Sequence, residues 1–228
     1  MSGSPSRPAG LLHAATGKVL QGTCGWTSPT LLQSGRFYPG NISGTASAEE
    51  RLRFYSRAGG FGVVEVDTST YAIPSPTSVQ KWAAATPRDF QFHFKVFGAL
   101  ASQGCSIRCL PAQCRPAAAT TSATSAPSND KYVTLKELGE AKVDRLWSLF
   151  HEAIEPAKRA GKLGSVLFQF QSNVGNTAAA RQHIAWCASR LDPSITMAVE
   201  FRNRSWFTGK CLRSRPTVDY QNGGGGGG

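Results

Sequence analysis

Hydrophobic and polar positions alternate with two different periods along this chain. Phe90 to Phe97 (FQFHFKVF) places aromatic and polar residues in strict succession, the period-two signature of a strand with two unlike faces. Val143, Leu146, Trp147, Phe150, Ile154 and Ala157 recur instead at three and four residues, which predicts a helix with one apolar face. Pro156 is expected to kink or end that helix near its last turn. Four further apolar runs bounded by breakers predict strands at 18–23, 61–69, 165–170 and 195–202. Ser47 and Glu50 form an S-x-x-E capping box ahead of a helix carrying Leu52, Tyr55 and Ala58, closed by Gly59 and Gly60. Ser75-Pro76 starts a helix through Val79 and Trp82, and residues 177–190 predict another.

Strands that alternate with helices imply βαβ units and a parallel sheet. Two architectures satisfy that order, an open doubly wound sheet and a (β/α) barrel. No GxGxxG follows the first strand, and GTCGW is too short for a phosphate-binding loop, so the nucleotide-binding open sheets lose support. The fold class is therefore α/β with TIM-barrel-type (β/α) repeats.

Composition divides the 228 residues unequally. Residues 1–18 are rich in Ser, Ala, Gly and Pro, residues 112–130 form an Ala/Thr/Ser/Pro-rich insert, and residues 209–228 end in six glycines. The expected organisation is a tail over 1–18, one domain over 19–208 interrupted at 112–130, and a second tail over 209–228. The foldable part falls well short of the roughly 250 residues of a closed eight-stranded barrel. About five strands are expected, and with them an incomplete barrel.

The net charge of +11 concentrates in the end regions, with +3 in residues 1–48 and +4 in residues 201–228. A nucleic-acid footprint would instead show as a basic face on the folded part, so nucleic-acid binding through basic tails is only a distant alternative. Six cysteines without a secretory leader fit reduced thiols inside a cell. The expected location is cytoplasmic, or organellar if the acid-free N-terminus acts as a transit peptide. Cys105, Cys109 and Cys114 lack the paired spacing of a zinc site, and no metal is expected. No apolar run is long enough to span a bilayer, and no membrane partner is expected.

The motifs GTCGW (22–26), RFYPG (36–40), VEVDTSTY (64–71), PSP (74–76), FHFK (92–95), GKLGSVLFQF (161–170) and AVEFRNRSWF (198–207) together resemble the YecE-like family, domain of unknown function 72. The resemblance runs in order over about residues 19–208 and implies a TIM-barrel fold, with no established activity. It also implies further strands after SWF, where this chain reads TGKCLRSRPTVDYQNGGGGGG, without helical period or apolar strand. A truncated isoform, a frameshifted reading or a gene-model end would account for that departure.

Strand parity sorts the polar residues independently of the resemblance. Glu65 and Asp67 share a face in the second strand, His93 and Lys95 in the third, and Glu200 and Arg202 in the fifth, with Gln169 near the end of the fourth. In a barrel these positions point inward at the C-terminal mouth, where such folds build active sites. Glu65, Lys95 and Glu200 are the candidate catalytic groups: the carboxylates as an acid and base pair, the lysine as base, Schiff-base amine or electrostatic clamp. Asp67, His93, Gln169 and Arg202 are candidate substrate-binding residues, joined by Trp26 and Tyr71 as stacking rings from the first two strand-end loops. A purely structural ion-pair network filling the barrel is the competing account of the same residues. The expected function is that of a small-molecule lyase, isomerase or hydrolase with an anionic or sugar-like substrate. A non-catalytic interaction module is the alternative, and the cofactor is unknown.

Overall fold

A computed structural model describes residues 19–116 and 131–208. The 1–18 and 209–228 tails and most of the predicted insert therefore lie outside the described residues, as does Cys211. The central element is a parallel sheet of β1 (Gly22–Cys24), β2 (Val63–Val66), β3 (Gln91–Lys95), β6 (Leu163–Phe170) and β7 (Met197–Phe201). Its spatial order β1-β2-β3-β6-β7 is also its chain order. A doubly wound sheet reverses direction partway to cover both faces. Strands laid down in chain order by crossovers of one hand put every connecting helix on the same face, the arrangement of a barrel wall.

That helical layer consists of α3 (Ala48–Arg57), α4 (Pro76–Ala85), α7 (Glu140–Arg159) and α8 (Ala178–Arg190). Short helices α1 (Pro29–Gln33), α2 (Gly40–Ser43), α5 (Gly98–Ser102) and α6 (Leu135–Leu138) fill the loops. The predicted capping box of α3 is present: the Glu50 N–H donates to the Ser47 hydroxyl, and the Glu50 carboxylate accepts from the Ser47 N–H at 2.7 Å. Pro156 neither ends α7 nor lies outside it, since the helix continues to Arg159. Gly161 at φ +67° then allows the Lys162 N–H to close back on the Ala157 carbonyl.

The core lies between sheet and helices, and one face of the sheet forms one side of it. Val64, Val66, Phe92, Phe94, Val166, Phe168 and Phe170 are buried there against Leu52, Tyr55, Val79, Leu146, Trp147, Phe150 and Ile154. Each such phenylalanine contributes roughly 1.5–3 kcal/mol by leaving water. Val199 on β7 is 38% exposed, whereas Met197 and Phe201 on the same strand face pack against the core. Among the described residues β1 and β7 each pair on one side only, so barrel closure is not part of the observed structure.

Two strands, like the short loop helices, are not marked by the sequence pattern. β4 (Gly104–Ser106) and β5 (Tyr132–Thr134) form a separate antiparallel pair flanking the insert. Cys114, inside the compositionally biased segment, is fully buried in the main core.

Candidate functional site

Parallel pairing in register brings the polar residues of the uncovered sheet face together. Cys24 pairs with Glu65, Glu65 with His93, His93 with Ser165, and Gln169 with Glu200. Because opposed residues in a sheet share a face, these form one contiguous surface across all five strands.

Glu65 and Lys95 occupy its centre. The Lys95 ammonium lies 3.3 Å from Glu65 Oε1, with side chains 14% and 26% exposed. The same carboxylate oxygen accepts the Cys24 S–H at 3.0 Å. Burial first, and then this hydrogen bond and the charge of Glu65, push the Cys24 thiol up to about 12, so it remains a protonated donor at neutral pH. The β1–β2 register that supplies this partner is not encoded in local sequence. Ser69, missed by the sequence pattern, has its buried hydroxyl 2.6 Å from both the Val66 and Lys95 carbonyls, tying the end of β2 to the end of β3.

Glu200 forms the second centre. Gln169 Nε2 donates to Oε2 at 2.6 Å and Arg202 Nε donates to Oε1 at 2.8 Å. These two hydrogen bonds, with help from the charge of Lys95, hold the Glu200 carboxyl below its ordinary range, so it is ionised. The segment beyond it is pinned by Trp206, which stacks on Phe201 with ring centres 4.1 Å apart and donates to the Val174 carbonyl.

Other predicted residues take different places. Asp67 lies past β2 in a one-turn 3₁₀ segment, Asp67–Thr70, and its carboxylate approaches Gly25, where a Cβ would come within 2.9 Å of Oδ1. Gly25 also has φ +81°, so glycine satisfies both the turn and the close approach. Tyr71, on the same loop, is 70% exposed. His93 sits one pleat below Lys95, with Nδ1 2.7 Å from the Ser165 hydroxyl and its ring against Gly164. Burial lowers its basicity and favours the neutral ring. Trp26 is corrected from a stacking ring to a packing residue. It is 4% exposed, meets Trp82 edge to face at 5.0 Å and donates Nε1 to the Ala48 carbonyl.

Beside Lys95, a recess of about 20 Å³ is lined by Thr70, Gly98, Ser102, Gln169 and Gln171 among others. It has room for one water-sized group. A larger cavity, about 640 Å³, lies elsewhere, between α4 and α7 on the outer layer. The strand-end surface itself is open and encloses little volume. No group of three or more His, Cys, Asp or Glu among the described residues is arranged to hold a metal ion. No described helix is long and apolar enough to cross a membrane.

Similar proteins support the architecture. UPF0759 protein YunF of Bacillus subtilis (strain 168) is 28% identical over 165 residues, covering 71% of this chain and 46% of the relative. A DUF72 family protein from Enterococcus faecalis V583 superposes with TM-score 0.55 at 20% identity, over 84% of this chain and 53% of that one. A DUF72 family protein from Thermotoga maritima MSB8 gives TM-score 0.54 at 20% identity, over 83% and 57% respectively. The chain thus spans about half the length of these relatives. The family described as "Protein of unknown function DUF72" matches residues 20–216, and the chain belongs to it.

Proposed function

We propose that the strand-end surface is the floor of a small-molecule active site, of lyase, isomerase or hydrolase type, and that its substrate is sugar-like rather than anionic. The observation that carries this reading is the Lys95–Glu65 contact at 3.3 Å, placed at the C-terminal ends of two adjacent parallel strands, with ionised Glu200 two strands further on. An ammonium beside a carboxylate is a proton donor–acceptor pair, suited to moving a proton at a carbon or oxygen next to a hydroxyl or carbonyl group. Glu200, locked by Gln169 and Arg202, serves as a fixed negative charge that accepts substrate hydroxyls or stabilises developing positive charge.

Charge accounting favours the sugar-like substrate. Both mouth cations, Lys95 and Arg202, already face a carboxylate, while Asp67 adds a further negative charge. An anion would have to break one of these pairs. Hydroxyl groups would instead donate to the carboxylates, with the exposed Tyr71 ring available for an apolar sugar face.

The test is a thermal-shift screen of neutral sugars and polyols against sugar phosphates and carboxylic acids. Stabilisation by a neutral polyol that disappears in Lys95→Ala and Glu200→Ala, both still folded, supports the reading. Stabilisation by anions alone, or hits that persist in both variants, argues against it.

A further inference from the structure

The outer helical layer carries a second concave site, independent of the strand-end surface. A cavity of about 410 Å³ lies between the Leu135–Gly139 turn, the first turns of α7 and one side of α8. That volume is within the roughly 300–1,000 Å³ range of small-molecule pockets. Its walls include His183, Trp186, Val143 and the ion pair of Arg190 with Asp144.

The tautomer of His183 follows from its contacts. Nε2 lies 2.9 Å from the Leu100 carbonyl and 3.1 Å from the Ala101 carbonyl. Carbonyl oxygens only accept, so Nε2 carries the proton. Half-burial disfavours the imidazolium, and the neutral ring therefore has a bare lone pair on Nδ1. Nδ1 has no hydrogen-bond partner among the described residues. The imidazole stacks on Trp186 at 5.4 Å with 24° between the planes, and Trp186 is itself braced edge to face by Trp147 at 5.9 Å. A flat molecule lying edge-on to His183 would therefore run nearly parallel to the indole. Charge gives no preference for an ion, because Lys136 and Arg190 are balanced by Glu140 and Asp144.

From this arrangement we infer that the α7–α8 cavity binds a neutral, planar heteroaromatic ligand that packs along Trp186 and donates a ring N–H to His183 Nδ1. The flat aromatic wall selects for a ring, the bare Nδ1 lone pair in the plane of that ring selects for an N–H donor, and the balanced rim selects against net charge.

Benzimidazole and 1-methylbenzimidazole test this directly, because they are neutral at pH 8 and differ in the one N–H. Binding to the full chain is followed by saturation-transfer NMR and titration calorimetry. Benzimidazole is expected to bind saturably, 1-methylbenzimidazole about tenfold more weakly, and Trp186→Leu to weaken benzimidazole by a similar factor. His183→Phe is expected to abolish the preference between the two probes. If that variant fails to fold for want of a donor to Leu100 and Ala101, the probe pair on the wild-type chain still decides. Equal binding of the two probes, no saturable binding up to the solubility limit, or loss of binding in Lys95→Ala rather than Trp186→Leu would overturn the inference. The last outcome would place the probe at the strand-end site.

Discussion

Glu65 Oε1 accepts from Cys24 at 3.0 Å and lies 3.3 Å from the Lys95 ammonium, so one carboxylate oxygen joins three adjacent strands. Both members of the ion pair retain some solvent contact, so their Coulomb attraction is partly screened. A double-mutant cycle of Glu65→Gln and Lys95→Met, followed by urea unfolding, is expected to give a coupling of about 1 kcal/mol. A coupling of about 3 kcal/mol or more would mark a pair that holds the sheet together.

The same oxygen controls Cys24. The residue is exposed as a whole, but its thiol is partly desolvated and held protonated, so alkylation by iodoacetamide at pH 8 is expected to be much slower than for a free cysteine. Glu65→Gln removes the carboxylate charge and should speed labelling of Cys24 severalfold, read by peptide mass spectrometry. An unchanged rate would mean that burial alone sets its reactivity.

Lys162 has a different role at the opposite end of the strands. Its ammonium is buried, donating to the Ala83 carbonyl at 2.5 Å and to the carbonyl and hydroxyl of Thr86 at 2.9 and 3.1 Å. These oxygens lie where α4 ends, the Ala83 carbonyl also accepting from the Thr86 hydroxyl, and a cation at a helix C-terminus meets the negative end of its dipole. Lys162→Met keeps the stem but removes the donor to the Thr86 carbonyl, while the Ala83 carbonyl keeps the Thr86 hydroxyl, and should cost about 1–3 kcal/mol in chemical denaturation. A loss under about 0.5 kcal/mol would show that water replaces the ammonium without penalty.

Three half-buried histidines set the acid response. Burial lowers the pKa of His93, His151 and His183, so the folded chain binds fewer protons there than the unfolded chain does. Stability from these groups is fully present above the unfolded histidine value of about 6.5 and is lost as pH falls below it. Glu200 and Asp192, whose carboxyl pKa values are lowered by hydrogen bonds and neighbouring cations, add a separate loss in the carboxylate range below about 4.5. Urea unfolding at pH 7.5, 6 and 5 should show the first decline. His151→Phe should reduce but not abolish it, and because His151 Nε2 is buried without a partner, the variant should be neutral or more stable at pH 7.5.

Much of this was readable before any fold was known, for identifiable reasons. The period-two run around His93 and Lys95 placed both on the polar face of β3, and the Ser47–Glu50 box marked the start of α3, because each depends only on neighbours in sequence. The Cys24–Glu65 contact and the Ser69 bridge depend on register between strands, which no local pattern states. Trp26 looked like a loop aromatic, but its ring turns inward onto Trp82, fifty-six positions away. The β4–β5 pair was missed because strands of three residues carry too few positions for alternation to show.

The central claim is that Glu65, Lys95 and Glu200 exist for a ligand and not for the fold. Its most direct test is the unfolding free energy of Glu65→Gln/Lys95→Met/Glu200→Gln against wild type. A cluster kept for function should be dispensable to stability, so the triple variant is predicted to unfold within about 1 kcal/mol of wild type, or to be more stable. A loss of about 3 kcal/mol or more would show that the cluster is structural, and would contradict the claim.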